Sequence, residues 1–157
     1  MNSINLIHNI ELKIRPVENG PLPFQPLLAD YEKMKNCEEG PWTKEIDIHV
    51  ITWKSEELAC CVLRKPHLFS LAGYVRSIIE IPIHDIDVHG CITWYNKDKE
   101  GNYWVGFDAA HVEDIVPALY KKEPAFLHED ATYKDISFMI AETIRLAEQV
   151  GAILINL

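Results

Sequence analysis

Imidazoles and carboxylates, the side chains best suited to moving protons near neutral pH, are concentrated in two stretches of this sequence. Residues 84–94 (HDIDVHGCITW) and 104–114 (WVGFDAAHVED) together carry three histidines and five acidic residues. Asp87 and His89 are two apart in a run that reads as a strand, so their side chains should emerge on one face. Asp108 and His111 are three apart at an expected strand-to-helix junction, where both can point toward the same mouth. Pairing of the two stretches as a hairpin would bring His89, Asp108 and His111 together. Such a cluster can share protons or hold a divalent ion such as zinc or manganese. Neither HExxH nor any other spacing that fixes metal geometry is present, so a metal or other cofactor is left unassigned. His89, Asp108 and His111 are the candidate catalytic residues of a small-molecule-binding or hydrolytic site.

The same residues have structural readings. Asp108 suits a helix N-cap, His111 a first helical turn, His89 a turn beside Gly90, and His84 and Asp85 a solvated loop. Trp94, Trp104 and Phe107 read as core rather than as a stacking platform for a ligand. Cys91 follows His89 by two residues and completes a Cys-His pair on paper, but nothing near it marks an activated thiol. The sequence has no GxSxG, P-loop or GxGxxG pattern, which removes the usual serine-hydrolase, nucleotide-triphosphatase and dinucleotide-binding readings.

The elements that must position these groups are short strands followed by one strong helix. Ile10, Leu12 and Ile14 alternate with polar residues as in a short strand, residues 18–26 read as a loop, and a short helix is expected over 25–36 with Pro26 in its first turn. Period-two patterning over 46–53 predicts a second strand, and similar runs follow at 58–63, 74–81, 88–95 and 103–107. Residues 96–102 read as a hairpin loop, and connections this short favour antiparallel pairing. Ile136, Met139, Ile140, Thr143, Ile144, Ala147 and Val150 recur at helical spacing, with Thr132 as the expected N-cap and Gly151 as the expected end. Residues 152–157 would then add an edge strand or cover the core. A further helix is expected from Asp108, bent or ended by Pro117. The predicted fold class is α+β: a mainly antiparallel sheet packed against a C-terminal amphipathic helix and one or two shorter helices, in a single domain over 1–157.

Composition narrows the partners. A net charge of -9 without clustered Lys or Arg argues against nucleic-acid or anionic-membrane binding; the basic pairs are Arg64-Lys65 and Lys121-Lys122. No apolar run approaches the ~18 residues that span a bilayer, and the N-terminus lacks a basic signal-peptide start, so a cytoplasmic protein is expected. Cys37, Cys60, Cys61 and Cys91 form no CxxC pair and read as reduced thiols, with Cys60 and Cys61 on opposite faces of a strand. The candidate partners are a small-molecule ligand or, in a non-catalytic alternative, a host protein met through an acidic face.

Several motifs recur in a recognisable order: Gly40-Pro41-Trp42, Gly73-Tyr74-Val75, Val88 to Trp94, Trp104 to His111, and Tyr133 through Glu142 to Gln149. This order resembles a family of small uncharacterised proteins encoded in bacterial and phage genomes, over roughly residues 40–150. The resemblance is most specific in the His-Gly-x-x-Thr-aromatic and Gly-Phe-Asp-x-Ala-His segments. It implies that His89, Gly90, Asp108 and His111 occupy the family's motif positions; the interaction-protein alternative would be, for example, a phage or mobile-element factor. It supplies no reaction. This chain departs from the family pattern with Cys91 in place of a second glycine and Ala109 in place of a cysteine.

Overall fold

The computed structural model describes residues 9–13, 37–45, 48–52, 59–65, 68–120 and 130–155; the expected 18–26 loop and 25–36 helix lie outside the described residues. Among the described residues the alternating runs form six strands: β1 (Asn9–Lys13), β2 (Ile48–Thr52), β3 (Ala59–Arg64), β4 (Leu71–Ser77), β5 (Trp94–Lys97) and β6 (Tyr103–Asp108). They pair antiparallel throughout, in the order β1-β2-β3-β4-β6-β5. The fold is α+β.

Alternation sorts the side chains onto two faces. Cys60, Val62, Leu71, Val75, Val105 and Phe107 join the main core, whereas Cys61, Leu63, Ala72, Tyr74 and Trp104 form a second buried cluster. The adjacent cysteines do therefore point to opposite faces, and Trp104 and Phe107 are buried core residues. Trp94 is only partly buried, packed beside Tyr74. The hairpin connection expected over 96–102 is made by residues 98–102, since Asn96 and Lys97 belong to β5. There the Asp98 carboxylate accepts from the Asn102 N–H at 2.8 Å and from Trp104 Nε1 at 3.0 Å.

The C-terminal helix, α1 (Ile136–Ile155), lays Met139, Leu146, Ala147 and Val150 into the main core. Full burial of each large aliphatic side chain in this row contributes roughly 1.5–3 kcal/mol. The helix passes so close to β4 that a Cβ at Gly73 would lie 2.2 Å from Thr143 Oγ1, a contact only glycine avoids. Asp135, not Thr132, caps the helix: its Oδ1 accepts the Phe138 N–H at 2.9 Å. Gly151 does not end it, because its apolar row continues through Ile153 and Leu154 against the core. Residues 152–155 are therefore helical rather than an edge strand.

A buried polar clamp fixes the start of this helix. Arg64, fully buried, donates from Nη2 to Glu45 Oε1 at 3.0 Å and from Nη1 to the Phe69 carbonyl at 2.8 Å. Glu45 also accepts from the Tyr133 hydroxyl, and its Oε2 accepts the Ile136 N–H at 2.8 Å, where the positive end of the helix dipole favours a carboxylate. Trp42, from the 3-10 turn Pro41–Lys44, packs edge-on against Tyr120 and Tyr133 over this clamp.

Three expected elements differ. The strand expected over 74–81 is β4, which starts at Leu71 and ends at Ser77. The 88–95 strand is reduced to β5, because Gly90 and Cys91 adopt φ of 66° and 65°, which no extended strand accommodates. No helix starts at Asp108. Its Oδ1 instead accepts the Ala110 N–H at 3.1 Å in a tight local turn, and the chain runs on through a second turn, closed by Asp114 N–H to the His111 carbonyl, to the 3-10 turn Pro117–Leu119. The shorter helical pieces among the described residues are 3-10 turns, including Ile83–Asp85.

Candidate functional site

Three separate pieces of chain meet at the N-terminal end of α1. The first is a tight turn closed by the Cys91 N–H to the Val88 carbonyl at 2.9 Å, with His89 and Gly90 at its centre. The second is the loop after β6, residues 109–116. The third is the strand-like segment before the helix. A parallel bridge between Asp114 and Thr132 joins the last two, with Ile115 N–H donating to the Thr132 carbonyl at 2.8 Å and Thr132 N–H to the Glu113 carbonyl at 3.0 Å.

This bridge places Asp114 at the centre of the cluster, its side chain fully shielded from solvent. His89 Nε2 lies 2.9 Å from Oδ1 and 3.0 Å from Oδ2. The His111 N–H donates to Oδ2 at 3.0 Å, and Lys134 Nζ lies 2.9 Å from Oδ1. Burial pushes the Asp114 carboxyl up, but the hydrogen bonds from His89, the His111 N–H and Lys134 outweigh it and hold the group below the usual carboxylate range. An ionised carboxylate only accepts, so the proton of this contact sits on His89 Nε2. In the neutral imidazole the lone pair is then on Nδ1.

His89 is held in this orientation by its neighbours. Its ring meets Phe138 edge-on at 5.3 Å and His111 edge-on at 5.7 Å, and its side chain is 17% exposed. His111 lies directly over Gly90: a Cβ there would come within 2.0 Å of His111 Nε2. Glycine is required at this position twice over, by its positive φ and by the imidazole above it. His111 Nε2 approaches Asp108 Oδ1 at 3.3 Å, but the contact is not aligned as a hydrogen bond and the buried nitrogen has no hydrogen-bond partner. Asp108 is committed elsewhere, its Oδ2 accepting from Thr93 Oγ1 at 3.0 Å. The His111 and Asp108 side chains are each about one-third exposed.

The three residues expected to form the site therefore occupy one corner of the molecule, with a different wiring. His89 pairs with Asp114 rather than with Asp108, and it stands on a turn rather than on a strand. Among the described residues β5 stands at one end of the sheet order, paired with β6. Asp87 turns away to α1, where Arg145 Nη1 reaches its Oδ2 at 3.0 Å and Gln149 bonds both its N–H and its carbonyl. His84 and Asp85 are exposed on their 3-10 turn, as a solvated pair. Cys91 is exposed and shares no strand face with His89. Asp114 and Lys134 were missed by reasoning from spacing. The available signal was weak: an acidic residue three after His111, and a lysine beside the helix start.

Among the described residues, no three His, Cys, Asp or Glu side chains converge in a way that could hold a metal ion. No described helix is long and apolar enough to cross a membrane. No protein-family model, curated protein or solved structure matches this chain.

Proposed function

We propose that this corner is a small-molecule site in which His89 is the acid-base group, Asp114 orients it, and His111 supplies a second polar contact. The observation that carries the reading is the His89–Asp114 pair. A fully shielded carboxylate holding Nε2 fixes the tautomer, so that Nδ1 is left as the proton acceptor. No described residue is hydrogen-bonded to Nδ1. A ligand suited to it brings a donor: a hydroxyl, an amide N–H, or a water to be activated for hydrolysis. The His111 ring, about one-third exposed and 5.7 Å from that of His89, is a natural second contact for the same ligand.

The test is a panel of small esters, phosphoesters and amides, with fragment binding followed by histidine NMR signals, on wild type, His89→Ala and His111→Ala. Turnover or binding that disappears in His89→Ala, with an unchanged circular dichroism spectrum, supports the site. Ligand handling that survives in both variants, or the absence of any ligand that moves the His89 or His111 signals, overturns it.

The competing reading is a non-catalytic interaction protein of phage or mobile-element type, in which the cluster only braces the fold. Its support is the exposure of apolar side chains nearby, Val112 at 74% and Leu119 at 66%. Unfolding of His89→Ala at room temperature would favour it.

A further inference from the structure

We infer that Lys134 is a positioning residue for the His89–Asp114 pair, holding the carboxylate ionised and turned toward the imidazole. The inference deepens the proposed acid-base site and rests on it for its functional meaning, although its test does not.

Lys134 and His89 converge on a single oxygen. Lys134 Nζ and His89 Nε2 each lie 2.9 Å from Asp114 Oδ1. Lys134 is also anchored independently of Asp114. It donates to Thr132 Oγ1 at 2.6 Å, to the Thr132 carbonyl at 3.3 Å and to the Glu113 carbonyl at 3.2 Å. Its ammonium sits 5.9 Å above the centre of the Phe138 ring, whose edge-on neighbour is His89. The ammonium is thus fixed by the backbone of the two bridged segments, and the carboxylate falls into place between it and the imidazole.

Among the described residues, the other groups bonded to this carboxylate are His89, from the 88–91 turn, and the His111 N–H, from the loop, whose ring lies beside Asp108. Phe138, from α1, contributes only a ring. A shielded carboxylate facing a neutral imidazole and one backbone donor would take up a proton more readily than one that also faces a fixed cation. Protonated, it would no longer hold Nε2 as the donor, and the tautomer that exposes the Nδ1 lone pair would be lost. Lys134 therefore protects the orientation of a group that it does not touch.

The experiment compares wild type, Lys134→Met, Lys134→Gln and Lys134→Arg without any ligand. The Asp114 carboxyl is followed by carbon-13 NMR titration, and the His89 Nε2 proton by its downfield signal. The expected result is a rise in the Asp114 midpoint of about one unit in the Met and Gln variants, a faster-exchanging His89 proton, and recovery of both in the Arg variant. An unchanged Asp114 midpoint and an unchanged His89 signal in a folded Gln or Met variant overturn the inference. If both neutral variants unfold while Arg folds with a displaced Asp114 midpoint and no His89 signal, Lys134 is a fold determinant and the inference fails too. Should the signals respond as expected while His89→Ala handles every ligand normally, the proposed site falls and the role of Lys134 in the pair stands.

Discussion

Asp114→Asn is the substitution with the most decisive expected outcome, because it keeps the shape of the side chain while removing the charge that three donors share. In the native protein His89 Nε2, the His111 N–H and Lys134 Nζ all lie within 3.0 Å of a carboxylate that is fully shielded. An asparagine oxygen can satisfy part of this set, and its amide N–H2 must then face a donor. Lys134 retains Thr132 Oγ1, so the loss falls on His89 and the His111 N–H. A hydrogen bond to a charged group contributes about 1.5–3 kcal/mol, and with one of the contacts partly replaced the expected destabilisation is about 2–4 kcal/mol. Urea unfolding at pH 7, with an unchanged m-value, measures it. The pH dependence supplies a second check. The folded-state pKa of Asp114 is depressed, so its contribution is fully present above the unfolded carboxylate value and is lost as pH falls through the folded value. The gap between wild type and Asp114→Asn should therefore narrow in acid, where the native side chain is itself neutral. A gap under about 0.5 kcal/mol at pH 7, or one that stays constant into acid, would refute the account of Asp114 as the charged centre of the cluster.

Other perturbations follow from the same geometry. Gly90→Ala should cost about 1–3 kcal/mol, from the positive φ and from the imidazole it displaces, and should shift the His111 NMR signals while leaving those of Trp104 in place. Glu45→Gln removes the carboxylate from a fully buried Arg64 and from the start of α1, with an expected loss of about 3 kcal/mol in urea unfolding. In native protein at pH 8, Cys91 should react with a maleimide well before Cys60 or Cys61. Burial pushes the Cys60 thiol up to about 12 and Cys61 higher still, whereas Cys91 is exposed; mass spectrometry of the labelled peptides reads the order.

Sequence patterning carried the sheet well because period two is imposed wherever a strand buries one face. The runs at 58–63 and 103–107 fall within one residue of β3 and β6 at either end, and the alternation around Cys60 and Cys61 assigned their faces correctly. The core helix was equally legible from its spacing, but its ends were not. Thr132 and Asp135 are both good caps by type, and only the position of the first helical N–H groups decides between them. Gly151 is a usual helix terminator, yet the partial burial of Ile153 and Leu154 against the core outweighs its local preference. Propensity could not locate the shortening of the 88–95 strand either. Glycine at 90 permits a turn, but the positive φ at Cys91 is adopted against the preference of that residue.

The site was legible as a neighbourhood and not as a set of partners, and the reason lies in how spacing arguments work. Separations of two along a strand or three along a helix relate side chains only within one element. His89 finds its carboxylate 25 residues away, through a turn and a loop that carry no regular period. Asp108 illustrates the ambiguity from the other side. The acceptor chemistry that makes aspartate a good N-cap also lets it close a tight turn on the Ala110 N–H, and nothing in the following residues distinguishes the two outcomes. Asp114 takes its place from the bridge to Thr132, a pairing between segments too short to announce themselves as strands. Lys134 belongs to the cluster only because that bridge exists. A polar site assembled from irregular backbone in this way shows its chemistry in composition first. Its wiring emerges only when the backbone hydrogen bonds of the connecting segments have been traced.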